Sequence, residues 1–171
     1  MINDTLLIQL RNSWSNALWR LPHTFPLTES QNSWLTETKS MTRRFEQYAS
    51  GIAVEPLFEG FVDSGELTAE REQLPANSQY WLREVILYGD GLPWLWARTV
   101  IPEQTLTEED RDLMALNKTP LGHYLFRSDR LSRDYIQVAQ CGSLWGRRSR
   151  LRLSGKPLLL TEVFLLSSPL Y

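Results

Sequence analysis

Two hydrophobic periods run along this chain, one near 3.6 residues and one of two, and they separate helical segments from strands. Residues 1–27 form a loosely amphipathic lead-in that Pro22 and Pro26 make irregular. Residues 30–50 read as helical, as one helix or two short ones. Ser40 is a candidate N-cap there, with Met41, Phe45 and Tyr48 on one face of the segment it opens. Strand character begins at Ile52 and continues to Val62, where Asp63, Ser64 and Gly65 predict a turn; a polar passage to Ser78 follows. Two β-rich runs, 80–88 and 92–101, flank Gly89-Asp90-Gly91 and predict a hairpin. Residues 105–116 predict a helix with a capping box from Thr105 to Glu108. Thr119 then predicts the N-cap of a short helix over 120–126, with Pro120 at its first position. Strands resume at 133–138 and 144–145, and a last hairpin pairs 148–153 with 158–166. Hairpins with helices inserted between them predict one α+β domain over residues 1–171, built on an antiparallel sheet.

Charged residues inside these apolar strands change the picture. Glu162 is the one acidic residue from Tyr135 to the end, and alternation puts it on a face with Leu158, Leu160, Phe164 and Leu166. Arg83 shares a parity with Trp81, Val85 and Leu87, and Arg98 with Trp94, Trp96 and Val100. If these faces point inward, the core holds two guanidiniums and one carboxylate, a lining that suits a small, flat, anionic ligand. Two bland readings stand beside it: Arg83 facing solvent on an edge strand, or an Arg–Glu pair buried for structure alone. By residue type alone, Met41 and Leu121 are core positions at helix starts.

Composition narrows the classes. A chain of 171 residues with 42% hydrophobic content can bury one core, and 7 Trp, 6 Tyr and 6 Phe suit an aromatic-rich interior. The net charge of -2 gives no field for nucleic acid. Arg148, Arg150 and Arg152 alternate with Ser149, Leu151 and Leu153, as one solvated strand face would, so no nucleic-acid partner is expected. Cys141 has no second cysteine for an intrachain disulfide, and His23 and His123 lie too far apart in sequence to suggest a metal site. The first residues carry no basic leader, and no apolar run reaches the length of a membrane span. A cytoplasmic protein without stable membrane insertion is expected. No phosphate-loop, dinucleotide or Ser-His-Asp pattern occurs.

The segments SMTRRFEQ at 40–47, YWLRE at 80–84, PW at 93–94 with RTV at 98–100, KTPLG at 118–122, YLF at 124–126 and nearly all of 144–171 resemble the bacterial chorismate pyruvate-lyase family. Residues 1–39 carry little of the likeness. The resemblance implies a monomer with an antiparallel sheet of about six strands and helical flaps that enclose a buried site. It implies removal of pyruvate from chorismate to give 4-hydroxybenzoate, the first committed step toward the ubiquinone ring, with no cofactor or metal and with product inhibition. Carried over by motif, Arg83 holds the product's carboxylate, Glu162 its hydroxyl, and Met41 and Leu121 belong to the flaps. Arg98, or less favourably Lys118, is a candidate for the enolpyruvyl group. The alternative is a non-catalytic domain of the same fold that binds or senses 4-hydroxybenzoate or a similar aromatic carboxylate.

Overall fold

The computed structural model describes residues 2–171. Its six strands are β1 (Ile52–Asp63), β2 (Gln79–Gly89), β3 (Leu92–Pro102), β4 (Leu131–Cys141), β5 (Leu144–Leu153) and β6 (Lys156–Phe164). They form one antiparallel sheet in the order β1-β2-β3-β6-β5-β4. Two three-strand meanders therefore join through their last strands, β3 against β6. Two of the three two-residue hairpins turn on a pair of residues with positive φ: Asp90 and Gly91 at 48° and 81°, and Ser154 and Gly155 at 50° and 81°. Such pairs match the right-handed strand twist, which is why Gly sits second in each.

Several elements differ from the sequence expectation, each for a local reason. The runs expected at 144–145 and 148–153 are one strand, because Gly146 and Arg147 continue the ladder to β4. Strand β6 stops at Phe164, where the Leu165 N–H turns to the Trp94 carbonyl, so Leu166 is exposed rather than buried. The lead-in contains a 12-residue helix, α1 (Asp4–Ser15), whose Asn3 side chain accepts from the Leu6 N–H at 2.8 Å. The 30–50 region is two helices, α2 (Glu29–Leu35) and α3 (Met41–Glu46), and Ser40 does cap α3; Tyr48 lies past its end and is exposed. The helix expected at 105–116 is a pair of 3-10 segments. Thr105 is buried, and its hydroxyl donates to the Pro157 carbonyl at 2.8 Å instead of capping a helix. Helix α4 (Leu121–Leu125) follows Pro120 without a side-chain cap, so Thr119 is not its N-cap.

The sheet is covered on both faces. On the back face, α1 packs Leu7, Leu10 and Trp14 against Trp96 and Val163. Gly146 makes that approach possible, since a Cβ there would meet the Trp14 ring at 2.6 Å. On the flap face, α2 and α3 build a core of Trp34, Leu35, Met41 and Phe45 over Phe164 and Trp94. The β3–β4 connection, with α4, covers the rest through Leu113, Leu121 and Leu125. Helices α3 and α4 are thus two flaps from distant parts of the chain, lying on one side of the sheet.

Candidate active site

Strand register decides which charges share a face. Arg83 lies opposite Thr99, Thr99 opposite Leu160, and Glu162 opposite both Ala97 and Arg147. Directly paired residues point the same way. Arg83, Glu162 and Arg147 therefore project together onto the flap face, among Val85, Ala97 and Leu160. Arg83 and Glu162 stand two strands and two residues apart, which puts their Cα atoms about 12 Å from each other.

Arg83 is 3% exposed. Its Nη2 donates to the carbonyls of Asn117 and Thr119, each at 2.9 Å, and so ties the sheet to the loop that precedes α4. Its Nε–H is buried without a hydrogen-bond partner, and the nearest carboxylate oxygen, on Glu59, is 3.8 Å away. Burial lowers this guanidinium from its ordinary value, and the Glu59 charge offsets only part of the shift. A buried donor left open in this way is costly unless a ligand fills it.

At the other end Arg147 Nε donates to Glu162 Oε1 at 2.9 Å, with both residues almost fully buried. Arg147 Nη1 also meets the Glu37 carbonyl, and Arg133 Nη1 donates to that same carbonyl at 3.1 Å. Arg133 is pushed down to about 10, first by burial and then by the neighbouring Arg147 charge, against the pull of Glu162 and Glu37. Arg83, Arg133, Arg147 and Glu162 all line one cavity. Three cations against one anion leave that lining with two positive charges in excess.

The flaps close it. Met41, Thr42, Pro120, Leu121 and Gly122 face the cavity. Met41 and Leu121 are the first residues of α3 and α4, so their backbone N–H groups have no intrahelical acceptor. The flaps touch at Gly122, where a Cβ would sit 2.8 Å from Ser40 Oγ, and His123 Nε2 lies 3.3 Å from Glu46 Oε1. The second flap is anchored at its base by Asp110, fully buried, which accepts from Arg130 Nη2 at 2.8 Å, Lys156 Nζ at 2.7 Å and the Tyr124 hydroxyl at 3.1 Å. Burial alone would raise this carboxyl. The Arg130, Lys156 and Tyr124 hydrogen bonds outweigh it and hold Asp110 at about 2.

The structure brings Arg83, Glu162, Met41 and Leu121 together and leaves Arg98 out. Arg98 lies opposite Glu84 and Thr161, hence on the back face. There it donates to Glu70 at 2.9 and 3.0 Å and to Glu84 at 3.2 Å, and Arg11 of α1 closes on Glu84 from the other side. Parity within a single strand does not fix which face Arg98 takes; register across strands does. Lys118 is exposed and does not line the cavity. Arg133 and Arg147 were missed. Alternation had a usable signal for Arg147, which shares a parity with Ser149, Leu151 and Leu153; Arg133 had none, because the bulge at Asp134 breaks the period of β4. Arg148 is buried, not on a solvated face as expected. Among the described residues no group of three or more His, Cys, Asp or Glu is placed to hold a metal ion.

Comparison with known proteins fits this geometry. The family model described as chorismate lyase matches residues 13–171. The chain belongs to the chorismate lyase family. It is similar to the probable chorismate pyruvate-lyase of Bartonella bacilliformis, 58% identical over 138 residues that make up 81% of each chain. It is also similar to the chorismate pyruvate-lyase of Serratia proteamaculans, 56% identical over 146 residues, 85% of this chain and 84% of that one. Among solved structures, the C-terminal domain of the histidine utilization repressor from Pseudomonas syringae pv. tomato superposes with a TM-score of 0.54 at 11% identity, over 68% of this chain and 93% of that domain. A possible transcriptional regulator from Bacillus subtilis gives 0.52 at 8% identity, over 95% of this chain and 77% of that one. Those two likenesses show a shared fold only. No helix among the described residues is long and apolar enough to cross a membrane.

Proposed function

We propose that the chain is a chorismate pyruvate-lyase, converting chorismate to 4-hydroxybenzoate and pyruvate. One observation carries the reading: a cavity under the two flaps holds an open Arg83 donor at one end, a Glu162–Arg147 pair at the other, and an excess of two positive charges. Chorismate is a dianion with a carboxylate on the ring and another on the enolpyruvyl ether, and it matches that excess.

Arg83 takes the ring carboxylate through its free N–H groups, with the Met41 and Leu121 amides of the flaps beside it. Glu162 has one oxygen engaged by Arg147 and offers the other to the ring hydroxyl. Arg133 takes the enolpyruvyl carboxylate, the role first considered for Arg98. The ether C–O bond breaks while the adjacent ring carbon loses its hydrogen, and aromatisation drives the step. The work left to the protein is to clamp both carboxylates and to meet charge on the departing oxygen with a guanidinium. The departing enol methylene can take the ring hydrogen directly, or Glu162 can remove it as a base. Deuterium in the pyruvate methyl group, after reaction in heavy water, would rule out direct transfer.

The cavity is complete within one chain, which supports action as a monomer. Its closure by two flaps supports slow product release, and hence inhibition by 4-hydroxybenzoate. The test is to incubate the protein with chorismate and follow both products. Equimolar 4-hydroxybenzoate and pyruvate, lost in a folded Arg83→Ala variant, is the expected result. Tight 4-hydroxybenzoate binding without turnover would instead make the chain a carrier or sensor.

A further inference from the structure

The back face has a cavity of its own, about 280 Å³ and open to solvent, between α1, the 66–70 segment and the sheet. Arg11 and Arg98 meet Glu84 and Glu70 in close ion pairs, and Glu66, also in the lining, makes none among the described residues. Arg148 is the one arginine of the lining outside an ion pair. It is 6% exposed and forms no ion pair; its Nε donates to the Gln137 side chain at 2.9 Å, and its two terminal nitrogens have no protein acceptor among the described residues. Its guanidinium carbon lies 5.1 Å from the centre of the Trp19 ring, and Trp19 leans on Trp14 at 5.6 Å. The floor is Trp96, 2% exposed, with an indole N–H that is buried and unpaired. Burial lowers the Arg148 guanidinium from its ordinary value, and the Tyr135, Glu70 and Glu72 charges offset only part of the shift.

We infer that this cavity is a second ligand site, one that takes a small, flat aromatic monocarboxylate. The carboxylate accepts from the free nitrogens of Arg148, and the ring lies against Trp19 and Trp14. One free guanidinium, with Glu66 and Glu70 also in the lining, takes a single carboxylate, whereas the flap-face cavity with its excess of two suits a dianion. The two sites stand back to back, since Arg148 follows Arg147 in β5 and Thr161, which lines the back cavity, precedes Glu162 in β6. This inference does not rest on the lyase reading.

Titration calorimetry with 4-hydroxybenzoate tests it. The wild-type chain should bind two equivalents, and Arg148→Gln one. Arg83→Ala, which disables the flap-face cavity, should keep one equivalent, and adding Arg148→Gln to it should weaken that binding at least about tenfold. Trp19→Ala, at the rim, should give the same tenfold loss without touching the buried sheet. A single equivalent in the wild type that Arg83→Ala removes would overturn the inference, as would a second equivalent indifferent to both Arg148→Gln and Trp19→Ala. Chorismate turnover should be unchanged in Arg148→Gln. If the lyase reading fails instead, the wild type shows no turnover and the binding stoichiometries still decide this site.

Discussion

Each face of one sheet buries arginines and glutamates, and the two faces use them differently. On the back face Arg98 donates three hydrogen bonds to Glu70 and Glu84, and Arg11 adds a further ion pair to Glu84. On the flap face Arg83 makes no close ion pair, and Arg133 donates to a single backbone carbonyl. Buried charge is therefore a poor mark of a site by itself. What marks a site on either face is a donor left open: matched pairs fasten α1 and the 66–70 segment to the sheet, while an unmatched guanidinium, Arg83 on the flap face or Arg148 on the back, waits for an anion.

The largest expected effect is on the open side. Arg83→Ala should lower kcat/KM for chorismate by about 10³-fold while the far-UV circular dichroism stays native. A variant that is simply unfolded would make Arg83 structural and erase the contrast. The mirror experiment is Arg98→Met, which leaves Glu70 without its arginine; stability should fall by about 3 kcal/mol in urea denaturation with kcat/KM unchanged. A loss of activity without loss of stability would put Arg98 back among the site residues.

Arg133→Met should cost about 10²-fold in kcat/KM. Its melting temperature should stay level or rise, because burial already disfavours the charged form of this arginine in the empty fold. The sign with pH follows from the same depression. Arg133 loses its proton as pH rises through about 10, so kcat/KM for the dianion should fall there in the wild type, and that part of the profile should be missing in Arg133→Met.

Acid should act on the flap base. Asp110 is held at about 2 against an ordinary 3.8, so its contribution to stability is complete above pH 4 and is lost as pH falls from about 4 to 2. Thermal melts across that range should show the decline, and Asp110→Asn should flatten it. The smallest effect is expected at Gly122→Ala. The added methyl would crowd Ser40 Oγ at 2.8 Å and ease the flaps apart, raising the inhibition constant of 4-hydroxybenzoate several-fold. Tighter inhibition would show that the flaps absorb the methyl without opening.

What the sequence determined was local: strand alternation, the Gly-bearing turns, the Ser40 cap and the oddity of single charges among leucines. These depend on neighbours within a few residues, and they were enough to mark Glu162 and Arg83 and to support the family resemblance. Tertiary structure decided the rest. Whether Arg98 joins Arg83 depends on which residues pair across β2, β3 and β6, and a shift of one residue moves a side chain to the opposite face. Arg133 enters the cavity only because a bulge at Asp134 re-aims β4. Thr105, read as a cap, went to the Pro157 carbonyl 52 residues away, and the lead-in became α1 once Gly146 left space for Trp14. Each of these outcomes was set by a partner far along the chain, which a local pattern does not contain.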